Sequence, residues 1–126
     1  MSMTRDGKSK VAGWICMEAT ACKEVADVLN RNKVTGSVIV AMDTDQDTLD
    51  WVRKGSIAAT IAQKPYTMAF YGVKMLDDLH HYPPASLDRA FVRDTFSPVP
   101  VFVDTGTTLI DKSNLDAFVQ AQASNK

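Results

Sequence analysis

The sequence is poor in the features that announce a chemistry. No apolar run approaches membrane-spanning length. The opening, MSMTRDGKSK, is polar and lacks the apolar segment of a secretory signal peptide. Residues 1–10 are therefore expected to be either a disordered end or an appended, non-native tail, with no signal peptide carried by the chain itself. Lys and Arg number 14 against 15 Asp and Glu, a formal net charge of -1, and the basic residues are scattered. That balance provides no electrostatic footprint for nucleic acid, and no such partner is expected. Glycine-rich phosphate loops, a Walker pattern, a nucleophile elbow and a histidine in a triad are all missing, so neither catalysis nor a cofactor is expected. The two cysteines, Cys16 and Cys22, are too few for a disulfide framework or a zinc site. One falls at a strand end and the other in the first turn of the next helix; two buried thiols are expected, with a disulfide as the alternative. Asp77 and His81 in DDLHH stand four apart and could share a metal, but a solvated helix end accounts for them equally, and no metal is assigned.

What is present is strong alternation. The 126 residues, 45% of them hydrophobic, are enough for one globular domain. VAGWICM, residues 11–17, is an apolar run of strand length. TACKEVADVLNRN then spaces Ala21, Val25, Val28 and Leu29 as a helix does, with Thr20 as the expected N-cap. SVIVAM, residues 37–42, is a second continuous run, as suits a strand covered on both faces. The next segment opens on Asp45 and Asp47, carries Leu49, Trp51 and Val52 as its stripe, and closes on Arg53, Lys54 and Gly55. Acids early, bases late and glycine just past the end match a helix dipole and a left-handed cap. A strand over 57–62 follows, and Pro65 starts a helix at the position that tolerates proline best. Its face of Met68, Tyr71, Gly72, Met75, Leu76 and Leu79 should end near His80 and His81. Residues 82–100 break the pattern with PP, SP and VP. VFVDTGTTLI resumes strand character over 101–110, bent at Gly106, and Ser113 is the expected cap of a last helix through Leu115, Phe118 and Val119. The expected fold is α/β: a three-layer, mostly parallel, Rossmann-like sheet.

The informative side chains lie at strand C-terminal ends, where open parallel sheets bind their ligands. Glu18 follows GWICM, Asp43 follows VIVAM and Gln63 follows ATIA. Glu18 and Asp43 have an alternative as helix caps. Gln63 does not, because Lys64 separates it from Pro65. Converging carboxylate and amide groups without a nucleophile suit a ligand made of hydroxyls. Trp14 and Trp51 fit core positions rather than ligand stacking.

VIVAMDTDQDTLDWVRKGSIAATIAQKPYTMAFYGVKML resembles the C-terminal portion of type I periplasmic sugar-binding proteins, the ribose- and galactose-binding class of ABC-transporter solute-binding proteins. Asp43, Gly55, the run 59–63, Pro65 and Gly72 match in order and spacing, and ATIAQ-P is the most specific part. The closing DTGTTLIDKSNLDAF is also similar. The resemblance implies carbohydrate binding without catalysis, through Asp43 and Gln63, with Glu18 in the place of the family's usual Asn or Asp. Effector domains of lac-repressor-type regulators share the fold and give the alternative function. It further implies a partial domain over 11–126, with residues 64–100 crossing into a second lobe, and a periplasmic or extracellular parent protein. Its partners would be a sugar, the missing N-terminal lobe and a transporter permease. Without that lobe, the apolar residues of 65–100 should drive homo-oligomer formation, a dimer by domain swapping, with weak or no sugar binding.

Overall fold

The computed structural model describes residues 11–84 and 99–124. The expected tail at 1–10, most of the stretch 82–100, and Phe91, Val92 and Phe96 from the expected apolar surface lie outside the described residues. Among the described residues strands and helices alternate: β1 (Gly13–Ile15), α1 (Ala19–Arg31), β2 (Val38–Met42), α2 (Gln46–Lys54), β3 (Ala59–Ala62), α3 (Pro65–His81), β4 (Thr108–Asp111) and α4 (Leu115–Ser124). By its internal contacts the chain divides into two compact units, Met1–Gln63 with Thr107–Lys126, and Lys64–Gly106.

The first unit is a four-stranded sheet in the order β1-β2-β3-β4. β1, β2 and β3 run parallel, and β4 returns antiparallel beside β3. With strands added in sequence order, right-handed crossovers place α1 and α2 on the same side of the sheet. The core lies there, where Cys22, Ala26 and Leu29 of α1 meet Leu49 and Val52 of α2, Leu115 of α4, and Ile39, Ala41, Ala62 and Ile110 of the strands. Trp14 and Trp51 pack against this cluster as half-buried side chains. The continuous apolar run of β2 alternates in burial: Ile39 and Ala41 are buried, while Val38 is 52% exposed. Ile15 and Leu109 are exposed as well. Of the expected three layers, the described residues of this unit thus form two, the sheet and one helix layer.

The helix ends follow local chemistry. Asp45 caps α2, accepting from the Thr48 N–H at 3.3 Å, and Gly55 ends it in the left-handed conformation at φ 84°. α1 departs from expectation at its start: Glu18, not Thr20, is the N-cap, with its carboxylate accepting from the Ala21 N–H at 2.6 Å. Glu18 is extended (φ -151°), as a cap must be, whereas Thr20 already lies inside the helix. The buried stripe of α1 is correspondingly offset to Cys22, Ala26 and Leu29, while Val28 stays exposed. Ser113 is not seen capping α4; its hydroxyl donates to Asp111 Oδ1 at 2.5 Å. The expected strand over 101–110 is confined to Thr108–Asp111. Gly106 supplies the expected bend, at φ 77°, with its N–H donating to Asp104.

The expectation of two buried thiols is corrected: Cys16 and Cys22 form a disulfide. The tight turn from β1 into α1 brings their Cα atoms to 5.5 Å, inside the bridging range. Both cysteines are buried, so the bridge belongs to the core.

In the second unit, α3 begins at Pro65, as the sequence indicates, and ends at His81. None of its residues is buried. Met68, Tyr71 and Leu76 of the expected apolar face are exposed, and so are Tyr66, Phe70 and Val73. Neighbouring turns are tied along the surface by Tyr66 stacking on Phe70, by Lys74 paired with Asp78 at 2.9 Å, and by His81 paired with Asp77 at 3.1 Å. Among the described residues no cluster of three potential metal ligands forms.

Candidate functional site at the ends of the parallel strands

Because β1, β2 and β3 are parallel, the residues that follow them collect at one edge of the sheet. Two of the three candidates meet there. Asp43 comes directly after β2 and Gln63 directly after β3, and the Gln63 amide Nε2 donates to Asp43 Oδ1 at 3.0 Å. Both side chains are half-buried. Glu18 stands after β1, but its carboxylate serves the first turn of α1. No hydrogen bond joins it to Asp43 or Gln63 among the described residues.

The backbone at Asp43 is unusual. Its φ is 74°, in the left-handed region that L-residues other than Asn and Asp seldom enter, at a cost of about 1 kcal/mol. Both of its main-chain groups are held by β3: the N–H donates to the Ile61 carbonyl at 3.0 Å, and the carbonyl accepts from the Thr60 hydroxyl at 2.6 Å. Asp43 does not cap α2, since Asp45, two residues later, does. The two aspartates thus divide the work, one closing the helix and the other presenting a carboxylate at the sheet edge.

A polar cluster stands beside the site. Asp45 accepts from the Thr48 hydroxyl at 2.7 Å and from Lys23 Nζ at 3.0 Å. Burial pushes the Asp45 carboxyl up, but the bonds from Thr48 and Lys23 outweigh it and hold the group below its ordinary value. Lys23 is raised, chiefly by the hydrogen bond to Asp45, against a smaller opposing effect of burial. The ion pair ties α1 to the start of α2, and so steadies the loop that carries Asp43. A separate surface hollow of about 340 Å³ lies between the two helices, lined by Lys23, Asp27, Asp47, Trp51 and Lys54 among others. None of the three candidate residues lines it.

Thr60 escaped the sequence reading, which took ATIA as plain apolar strand. The available signal was a hydroxyl at an inward position of that strand, since a buried hydroxyl needs a partner.

The pairing of Asp43 with Gln63 makes a small polar patch with hydrogen-bonding capacity to spare. A carboxylate has about four lone-pair sites, and the amide keeps its carbonyl oxygen and a second N–H. A model of the periplasmic binding protein domain matches residues 2–81, which include both residues. The chain belongs to the periplasmic binding protein family. Solved members of similar structure include the arabinose-binding protein AraP from Geobacillus stearothermophilus, with 30% identity and a TM-score of 0.62 over 90% of this chain and 37% of that one. A sugar-binding protein of a sugar ABC transporter from Bacillus halodurans aligns at 32% identity and a TM-score of 0.63, over 86% of this chain and 37% of its own. The glucose-galactose-binding protein GanP from Geobacillus stearothermophilus gives 29% and 0.63, over 86% and 34%. The chain therefore spans little more than a third of these periplasmic binding proteins. No curated protein matches it.

Proposed function

We propose that the chain supplies part of the carbohydrate site of an ABC-transporter solute-binding protein, with Asp43 and Gln63 hydrogen-bonding sugar hydroxyls. The observation that carries this reading is the 3.0 Å bond between the two side chains at the ends of adjacent parallel strands. A carboxylate and an amide locked to each other are already oriented for a polyhydroxylated ligand, so little ordering entropy remains to be lost on binding. The sugar-binding names of the similar structures favour transport over the regulator alternative. Glu18 belongs to the site only if a ligand draws its carboxylate away from the Ala21 N–H.

The second unit begins at Lys64, immediately after Gln63. That boundary supports a reading of residues 64–100 as a passage to another lobe, with Gln63 at its start. The remaining contacts to the sugar, and those to a permease, would come from sequence beyond the third that this chain spans. A buried Cys16–Cys22 disulfide suits the oxidising conditions of a periplasm or cell exterior.

The test is titration of L-arabinose and D-galactose into a complete two-lobed protein that carries this chain, and into its Asp43→Ala and Gln63→Ala forms, followed by NMR and calorimetry. Each variant should weaken binding by about 1–3 kcal/mol, because it leaves ligand hydroxyls unpaired. Equal affinity in the parent and in both variants would reduce the pair to a structural contact.

A further inference from the structure

We infer that Thr60 is the positioning residue of the Asp43–Gln63 pair, and that its hydroxyl holds Asp43 in the left-handed conformation that brings the carboxylate to Gln63. The inference rests on the reading of that pair as the ligand site, but its central test does not need a ligand.

Thr60 is fully buried, in the middle of β3, and its register partners are Ala41 on one side and Ile110 on the other. Its face of the sheet also carries Ile39 and Ala62, all apolar. Valine would fill the same volume there without a polar atom to desolvate, so the hydroxyl is explained by what it bonds. Its partner is the main-chain carbonyl of Asp43, at 2.6 Å and seventeen positions earlier in the chain.

The placement of that bond gives it leverage. Asp43 is where the chain leaves β2, and its N–H is already held by the last ladder bond, to Ile61. With the N–H anchored, the orientation of the next peptide remains to be set, and that peptide contains the carbonyl that Thr60 holds. Fixing both groups fixes the turn at Asp43, and with it the direction of the side chain. A non-glycine residue at φ 74° persists only where its surroundings over-determine it. Here β3 and the residue that follows it supply three restraints: the Thr60 hydroxyl, the Ile61 carbonyl and the Gln63 amide. Without the first, the turn can relax toward the ordinary right-handed or extended region, and the carboxylate swings away from Gln63.

The experiment compares Thr60→Val with Thr60→Ser in the full chain, with Asp43→Ala as the reference for a broken pair. The side-chain amide resonances of Gln63 are the readout. In Thr60→Val they should move to the positions seen in Asp43→Ala, and in Thr60→Ser they should stay with the parent. Backbone amides of the packed strand interiors should keep their positions in both. Gln63 resonances in Thr60→Val that coincide with the parent's overturn the inference. Should Thr60→Val fail to fold, the parent chain still decides: its Thr60 hydroxyl proton should exchange slowly enough to be resolved, and one exchanging as freely as that of an exposed threonine overturns the inference. In an L-arabinose titration, Thr60→Val should lose about tenfold in affinity and Thr60→Ser should recover most of it. A parent chain without arabinose binding, but with the expected Gln63 behaviour, upholds the positioning role, because that readout needs no ligand.

Discussion

Helices α2 and α3 look alike as sequence and differ as structure. Each has an apolar stripe and a clear start. α2 buries Thr48, Leu49 and Val52, and it is closed at both ends by Asp45 and Gly55. α3 is nearly twice as long yet buries nothing, and Lys64 at its start makes no side-chain cap. A periodic stripe thus reports that a helix can be amphipathic, not that a partner for its apolar face is present. In α2 the partner is the sheet of the same unit. In α3, hydrogen bonds along the helix and surface pairs such as Lys74 with Asp78 hold the element together.

The largest test of this contrast is truncation of one leucine in each helix. Leu49→Ala should cost about 2–5 kcal/mol, because it opens a cavity in a packed core. Leu76→Ala, at a side chain 70% exposed, should cost under about 0.5 kcal/mol in denaturant melts. A loss at Leu76 that matches Leu49 and grows with protein concentration would mean that a second copy covers α3, as the expected homo-oligomer requires. Light scattering on the same samples would then show a dimer.

A glycine in or beside each helix gives the next contrast. Gly55→Ala places a side chain at φ 84°, where its Cβ would also crowd the end of the Lys112 side chain; a loss of about 1–2 kcal/mol is expected. Gly72→Ala meets nothing within 4 Å in the middle of α3 and should gain up to about 1 kcal/mol from helix propensity. Opposite shifts in melting temperature check both. A loss at Gly72 would reveal a close neighbour at that face.

The smallest effect concerns the cap that α2 has and α3 lacks. Asp45→Ala should cost about 1 kcal/mol. The folded Asp45 carboxyl sits below its ordinary value, so its contribution is complete above the unfolded value near pH 4 and is lost as pH falls through the folded one. Stability measured from pH 6 down to pH 2 should therefore fall less steeply in Asp45→Asn, which keeps a cap but cannot titrate. Parallel pH profiles would assign the acid sensitivity to other carboxylates, Asp111 first among them, because bonds from Ser113 hold it low as well.

Much of this was legible in the residues. The alternation of elements, the ends of α2, the start of α3 and the placement of Asp43 and Gln63 follow from capping chemistry and strand-end position. Glu18 was legible as a place but not as a job, because a carboxylate after a strand serves a ligand and a helix start equally well. The disulfide was missed because spacing alone does not reveal how tightly the turn between Cys16 and Cys22 folds. The reversal of β4 was not foreseen either, since an apolar strand reads the same in both directions. Continuous apolar runs overstated coverage, as the exposure of Val38 and Ile15 shows. Left-handed φ at Asp43 and the Thr60 bond that meets it depend on contact between two strands, which no local pattern encodes.

The antiparallel return of β4 has a consequence in polymer terms. Ala62, at the end of β3, is the ladder partner of Thr108, at the start of β4. Residues 63–107 are therefore a loop whose two ends are pinned one strand spacing apart, about 5 Å. The entropy of closing such a loop grows only with the logarithm of its length, about 0.6 kcal/mol for each doubling. The sheet is thus nearly indifferent to how much chain is threaded between these two strands, so this excursion can lengthen, shorten or be exchanged for another while the edge that holds Asp43 and Gln63 keeps its shape.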